Sequence, residues 1–511
     1  MRVIKILFKF LFSRLFLVAL MIAIQVFLLA GAVLYFTNSV FYIYLVCHAL
    51  SFLVVLAILG NNDNPSYKIT WIIAILLFPV AGGVFYLAFG SKRMPKSLEK
   101  LLERTVEDMH AYLPKNEDVD NETQLLNRQT ITQSQYIYNV TGCPMMAGTP
   151  SKYYAVGEDM FEDMMAEIKK ARRYIMLEFF IIEPGIMWDS ILNMLRQKMR
   201  EGIAVYLMYD DLGTINTLPK GYDKILKSMG IKLCVFNPFR PRASAMLNYR
   251  DHRKLLVIDG ATGFCGGINL ADEYINKIDK HGHWKDTGVM LKGEAVWEMT
   301  LLFLQMWQFA TRQKMDFGSF QPTKTTLPSD GLVQVFGDSP LDKTNVIETA
   351  YLNIISRATK YVYITTPYLI IGYEMEQALC NAALSGIDVR IITPHIYDKW
   401  YVHMLTRSHY KRLSECGVKI YEYTPGFMHA KMFIADDNIG MVGTCNMDFR
   451  SFYLHFECGV TFYNARIIGA VKKDILDCQR LSHLVSVQEA SHVKLTTRLI
   501  RAVLRVFAPL F

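Results

Sequence analysis

Three apolar runs open the chain. Leu15–Phe36 is interrupted only by Gln25, Val40–Leu59 only by His48 and Ser51, and Trp71–Phe89 carries no charge. Each is close to the ~20 residues a helix needs to cross ~30 Å of hydrocarbon. The first is too long for a signal-peptide core and no small-residue cleavage site ends it, so residues 1–90 are expected to be a retained membrane anchor of two or three transmembrane helices. Only Thr37–Ser39 separate the first two runs, and Pro79, Gly82 and Gly83 interrupt the third. Basic residues precede the first run (Arg2, Lys5, Lys9, Arg14) and follow the third (Lys92, Arg93, Lys96, Lys100). The positive-inside rule then places both ends in the cytoplasm, which requires an even number of spans.

Residues 91–135 turn polar, with a helix expected near Ser97–Leu113 and then a linker rich in Asn, Asp, Gln and Thr. Beyond it, short β-branched runs alternate with amphipathic segments, the pattern of an α/β protein. A helix ending at Ala171–Arg173 leads into the strand YIMLEFFII, and the helix DSILNMLRQKMREG into IAVYLMYDD. The order then recurs: a helix ending ISRATK, the strand YVYITTPYLI, the helix ALCNAALSG and the strand IDVRIITP. Internal duplication is the economical explanation, giving two similar α/β domains at 136–325 and 326–488, with the break in the Pro-containing stretch Phe317–Gly331. Residues 489–511 place Lys494, Arg498, Arg501 and Arg505 opposite an apolar face, a basic amphipathic helix suited to an anionic bilayer surface.

Composition sharpens this picture in two ways. The hydrophobic fraction is 52%, and its excess lies in the N-terminal runs. Nine cysteines occur at unpaired spacings, which indicates neither a zinc cluster nor a disulfide framework and agrees with a reducing compartment.

The chemistry lies in a doubled motif. His252, Lys254 and Asp259 in DHRKLLVIDG recur as His429, Lys431 and Asp436 in MHAKMFIADD, 177 positions later. Each copy runs into a small-residue turn, GGIN or GTCN, that closes on an Asn seventeen positions after the His: Asn269 and Asn446. His and Lys two apart on a strand face the same side. One imidazole can attack phosphorus while the other protonates a leaving oxygen, and lysine and amide donors can hold the charged oxygens. A phosphodiester substrate fits that inventory, with no metal or other cofactor expected.

These residues resemble the phospholipase D superfamily, and bacterial cardiolipin synthases within it. The stretches that carry the resemblance include NNDNPSYKITWIIAILLFPVAGGVFYLAFG, LEFFIIEPGIMWDSIL, YDDLGT, NYRDHRKLLVIDG, GGINLADEY, HWKDTGV, TTPYLI and GTCNMDFRSFYLHFE, across roughly residues 60–480. The resemblance implies two tandem domains, each a mixed sheet flanked by helices, related by a pseudo-twofold. It implies His252 as nucleophile and His429 as general acid and later base, with Lys254, Lys431, Asn269 and Asn446 on phosphate. Glu457 would orient the second-motif His, with Asp286 its first-half counterpart. Asp259 and Asp436 complete the catalytic motif, although their position five past the Lys suits a structural role. One departure stands out: His455 occupies the place where Asn is expected, two before Glu457.

The remaining conspicuous residues have blander expectations. His281 and His283 lack a third ligand and read as loop residues; Asp210 and Asp211 read as loop caps. Glu178, inside an apolar strand, is either site-facing or ion-paired, and Tyr368 either lines the pocket or belongs to the core. The reaction implied is phosphatidyl transfer between two phosphatidylglycerols, giving cardiolipin and glycerol through a phosphohistidine. The expected partners are phosphatidylglycerol and anionic lipids of the cell membrane, with the catalytic part cytoplasmic. A phospholipase D-type hydrolase or transfer to another alcohol uses the same residues. Nucleic acid is not expected, because the catalytic part has no basic stripe.

Overall fold

The computed structural model describes residues 38–90, 96–114, 126–238, 248–323, 327–328, 330–342 and 344–510. These fall into two units: a small one holding 38–90, 248 and 502–510, and a large one holding the rest up to Arg501.

In the small unit the second apolar run forms helix α1 (Asn38–Gly60); the first run lies outside the described residues. The third run is not the single helix expected. Helix α2 (Pro65–Leu77) stops at Phe78, and α3 (Pro79–Phe85) packs back on it before a π-helical turn at Tyr86–Gly90. Pro79 causes the break: it has no N–H to continue the ladder, and it drives Phe78 to φ −132°, ψ 74°. Gly82 permits the close return, since a Cβ there would lie 2.5 Å from the Ala74 carbonyl oxygen. Among the described residues no helix is long and apolar enough to cross a membrane. Val55, Ile58, Trp71, Ile75 and Tyr86 form the small core, while Leu50, Phe52, Leu53, Leu56, Leu59, Leu76 and Leu77 are exposed.

The large unit contains two mixed sheets. The first uses β1 (Ser151–Tyr154), β2 (Tyr174–Phe179), β3 (Ala204–Asp210), β4 (Lys232–Phe236), β6 (Leu255–Ile258), β7 (Thr262–Gly266) and β9 (Gly288–Lys292), in the order β1-β9-β7-β6-β2-β3-β4. The second uses β10 (Leu332–Asp338), β11 (Tyr361–Thr365), β13 (Asp388–Pro394), β14 (Lys419–Tyr423), β16 (Met432–Ala435), β17 (Ile439–Gly443) and β19 (His455–Tyr463), with β20 (Ser482–Leu484) at its edge. Its order is β10-β19-β17-β16-β11-β13-β14-β20. Exchanging each strand for its counterpart in the repeat converts one order into the other. In each half the parallel strands are joined through helices, such as Ile186–Arg200 and Tyr373–Leu384, as crossovers require. The apolar faces of Gly157–Lys170 and Ile186–Arg200 supply Met160, Met164, Trp188, Ile191 and Leu195 to the first core.

Both sheets belong to one compact unit. Helix Ala295–Thr311 touches strands of both, and every residue from Ala295 to Phe309 is buried, as an all-round apolar helix must be. Helix Arg128–Thr141 crosses the expected linker boundary at residue 135 and packs on Val346–Arg357 of the second half. Its polar sequence hid it, because it buries Thr130, Gln133 and Ser134 alongside a single large apolar residue, Ile137.

Two short ladders cross between the halves. β5 (Arg250–Asp251) pairs in parallel with the start of β19, matching Arg250 to His455 and Asp251 to Phe456. β8 (His283–Lys285) pairs in parallel with β15 (Gly426–Met428), matching Trp284 to Phe427 and Lys285 to Met428. Each ladder ends one residue before a motif histidine.

Candidate active site

The two motifs sit in the same place in their halves, in the short connection between a cross-half strand and a central strand. His252–Lys254 joins β5 to β6, and His429–Lys431 joins β15 to β16. The expectation that His and Lys share a regular strand is corrected here: both precede the strand proper. What aligns them is a backbone anchor. The His252 N–H donates to the Phe456 carbonyl at 3.0 Å, and the His429 N–H to the Lys285 carbonyl at 2.7 Å. The residue after each of those carbonyls is a carboxylate, Glu457 or Asp286.

These carboxylates pair with the histidines crosswise. His252 Nδ1 lies 2.9 and 3.0 Å from the two Glu457 oxygens, and His429 Nδ1 lies 2.6 Å from Asp286 Oδ2. Glu457 was expected to orient the second-motif His and Asp286 its first-half counterpart; the structure reverses this, so each half orients the other's imidazole. Both carboxylates are fully buried, and each fixes an Nδ1–H tautomer that leaves Nε2 as the reactive nitrogen. No hydrogen bond takes Nε2 of either ring among the described residues.

Lys254 Nζ donates to the His252 carbonyl at 2.5 Å, and Lys431 Nζ donates to the His429 carbonyl. Lys431 Nζ also approaches His429 Nδ1 at 2.9 Å. That nitrogen has one hydrogen, and the shorter contact to Asp286 claims it. Burial pushes Lys254 down to about 7 and Lys431 down to about 8, with Glu457 and Asp286 respectively resisting. Burial, then Lys254 and Lys431, holds His252 well below the ordinary imidazole range. His429 falls to about 4 through burial and Lys431, against the pull of Asp286. Each motif registers the charges of the other, so the half-sites share one electrostatic field, in which a bound anion would favour the charged forms of the lysines.

The flanking turns serve these pairs unequally. In GGIN a Cβ on Gly267 would lie 2.0 Å from Asp286 Oδ1, so glycine is needed for the carboxylate to fit. In GTCN the equivalent residue, Thr444, donates its hydroxyl to Glu457 Oε2. Asn269 braces its own half: Oδ1 accepts from the Ile181 N–H at 3.0 Å and Nδ2 donates to the Tyr274 hydroxyl at 2.7 Å. Asn446 is buried with Oδ1 unpartnered.

Asp259 and Asp436, expected with the catalytic set, lie elsewhere. Each follows the far end of its motif strand at positive φ (55° and 54°) and accepts backbone N–H groups where the neighbouring strand begins. Asp259 takes Arg172, Arg173 and Tyr174; Asp436 takes Thr359, Lys360 and Tyr361. Four strand residues separate them from the pocket, roughly 13 Å. They fasten the sheet.

Other expected residues also find places. Asp210 caps the turn Asp211–Thr214 and accepts from the Asp251 N–H and Arg250. Glu178 is buried 4.0 Å from Arg253 and is driven upward by burial and the adjacent Asp251, an internal charge cluster under the motif loop. Tyr368 donates to Asp398 at 2.6 Å, and His283 Nδ1 lies 3.0 Å from the Tyr423 hydroxyl. The His281 ring packs on Trp284 and Phe427. All nine cysteines are free thiols.

Sequence reasoning singled out His455 but missed the aromatic walls. Trp284, Tyr274 and Phe427 surround His429 at ring distances of 5.2, 5.5 and 5.7 Å. Phe180 and His455 flank His252 at 5.1 and 5.0 Å. Lys285, beside Asp286, is held by Asp474 of the second half at 2.7 Å. The signal for Trp284 and His455 was the register itself: each stands two before its carboxylate. His252, His455 and Glu457 place ligand-type atoms within 4.8 Å of one another, and the Glu457 hydrogen bonds to His252, with His455 Nδ1 3.5 Å away, account for that grouping.

The similarities to known proteins agree with this geometry. Residues 351–478 match the family model described as cardiolipin synthase, PLD-like domain, and residues 49–91 match the one described as phospholipase D-nuclease N-terminal. The chain is 32% identical to a cardiolipin synthase of Halalkalibacterium halodurans over 88% of this chain and 90% of that protein. It is 31% identical to a cardiolipin synthase of Geobacillus kaustophilus, covering 94% and 97%, and 42% identical to an uncharacterized protein of Streptococcus mutans, covering 89% and 99%. In fold it is similar to a phosphatidylserine synthase of Haemophilus influenzae, with TM-score 0.57 at 12% identity over 75% of this chain and 98% of that one. The chain belongs to the cardiolipin synthase family of phospholipase D-like proteins.

Proposed function

We propose that this protein is a membrane-bound cardiolipin synthase that joins two phosphatidylglycerols through a phosphohistidine. The observation that carries the mechanism is the crosswise pairing of His252 with Glu457 and His429 with Asp286, which leaves two Nε2 atoms for one phosphodiester. His252, which burial and the two lysines hold neutral, is the nucleophile: its Nε2 lone pair attacks phosphorus and the bond to the glycerol oxygen breaks. Substrate phosphate raises His429 by adding negative charge beside Lys254 and Lys431, so that His429 becomes the imidazolium that protonates the departing glycerol. In the return step His429 Nε2 accepts the hydroxyl proton of a second phosphatidylglycerol, whose oxygen attacks phosphorus and displaces His252. Lys254 and Lys431, with Asn269 and Asn446 at the turn ends, hold the phosphoryl oxygens.

The two sheets, in this reading, are tandem phospholipase D-like domains related by a pseudo-twofold, near 136–325 and 326–488. Residues 1–90 are a multi-pass membrane anchor, for which the exposed leucines of α1 and α2 are the support. The basic helix Leu495–Phe507 lies on the anionic surface of the cell membrane, and the catalytic part is cytoplasmic. Purified protein in phosphatidylglycerol vesicles is expected to release glycerol and form cardiolipin. Phosphatidic acid as the sole lipid product would make the enzyme a hydrolase instead.

A further inference from the structure

Outside the catalytic pocket, one cluster of cations is under-compensated. Glu422, fully buried, accepts Arg407 bidentately at 2.7 and 2.6 Å and also His395 Nδ1 at 3.0 Å. A second guanidinium, Arg501, stands in the same field: it and Arg407 repel one another, and both act on His403, which burial and Arg407 hold at about 4. Arg501 is half-buried, its Nε is sealed from solvent, and among the described residues that nitrogen has no hydrogen-bond partner. The next carboxylate in the neighbourhood, Glu489, is taken by His483 at 2.9 Å. Two permanent cations thus share one buried anion, and a sealed guanidinium N–H without an acceptor is costly. Such an arrangement calls for a missing anion, and guanidinium forks match phosphate oxygens in shape and charge.

The surroundings select the source of that phosphate. The helix bearing Arg501 leaves Leu495, Leu499 and Ile500 exposed. Tyr397 and Trp400 are also exposed on the segment that carries His395 and Arg407, and Tyr397 stacks on His403 at 5.2 Å. Cations beside an apolar strip and aromatic side chains are what a lipid headgroup and its chains require at a bilayer surface. We propose that Arg501 and Arg407 form an accessory site for the phosphate of an anionic phospholipid, distinct from the catalytic histidines. The choice of a lipid over free phosphate rests on the membrane reading above.

The test uses the full-length protein in detergent micelles with photoactivatable phosphatidylglycerol and phosphatidylcholine, the labelled peptides being mapped by mass spectrometry. Phosphatidylglycerol is expected to label peptides containing His395–Arg407 and Leu495–Arg505 while phosphatidylcholine does not. Arg501→Gln should lower that label about tenfold, the loss of one strong contact, and leave label at the catalytic pocket unchanged, while Arg501→Lys retains most of it. Equal labelling of wild type and Arg501→Gln overturns the proposal, as does removal of the label by inorganic phosphate at concentrations that spare the catalytic pocket. Label at the Arg501 peptides without label in the catalytic pocket would support this site and count against the lipid reading of the pocket.

Discussion

The two half-sites are built on one plan and finished differently. Around His429 the neighbours are rings of Trp284, Tyr274 and Phe427, and the orienting group is a short Asp286 seated against bare Gly267. Around His252 the orienting group is a longer Glu457, which also receives the Thr444 hydroxyl and faces His455 Nδ1 at 3.5 Å. His455 is in turn fixed by Arg450, 3.1 Å from its Nε2, and burial holds it at about 3, so it stays neutral and directs its Nδ1–H at Glu457. A carboxylate shared among several donors is a weaker base toward any one of them. His252 is thereby steered but kept neutral, the state its proposed role as nucleophile needs. His429 has one close carboxylate almost to itself, which favours the imidazolium once substrate arrives. The two sheets offer matching frames, and in the proposed mechanism it is their linings that would divide the labour.

The largest expected effects come from the rings themselves. His252→Asn should lower transfer by ~10⁴-fold or more and abolish the covalent intermediate. His429→Asn should lose about 10²–10⁴-fold while still forming some intermediate on a substrate with a good leaving group, read by rapid quench. Next come the carboxylates. Asp286→Asn should cost about 10³-fold by freeing the His429 tautomer, and Glu457→Gln less, because Thr444 and His455 still hold that side chain; steady-state glycerol release measures both. Equal losses would remove the asymmetry between the half-sites.

Lysine titration gives the pH dependence. Burial places Lys254 at about 7 and Lys431 at about 8, and an anionic phosphate would favour their charged forms. Substrate binding should therefore take up protons, and KM for phosphatidylglycerol should climb above about pH 7 while kcat changes less. In stability the sign runs the other way. Both lysines are charged in the folded and unfolded chain at low pH, and the folded chain sheds its protons first as pH rises, so their burial penalty is relieved above pH 7. Smaller again is His455→Asn, expected to change kcat no more than about tenfold, one hydrogen bond's worth, and to shift the pH profile of intermediate formation. Asp259→Ala should leave kcat near wild type yet lower stability by ~2–3 kcal/mol because three backbone N–H donors lose their acceptor, seen in denaturant unfolding.

Much of this was legible in the chain. Strand and helix order and the His, Lys and Asn positions follow from periodicity and the doubled motif, and the family resemblance added the two carboxylates. Who pairs with whom did not, because the β5–β19 and β8–β15 ladders join segments more than a hundred residues apart and local sequence carries no register for them. Helix Arg128–Thr141 was missed because its packing face is polar, and the break at Pro79 because an apolar run reads as continuous until the ring removes a donor. Asp259 and Asp436 show the converse: a motif residue recurring at fixed spacing because it ties down a strand start rather than because it touches substrate.

The most direct test is to trap the covalent intermediate from phosphatidylglycerol labelled in its phosphate, in His429→Asn and in His252→Asn, and map the labelled residue. Label on His252 in the His429 variant and none in the His252 variant is the predicted result. Label on His429 in the His252 variant, with His252 unmodified, would contradict the division of labour between the half-sites.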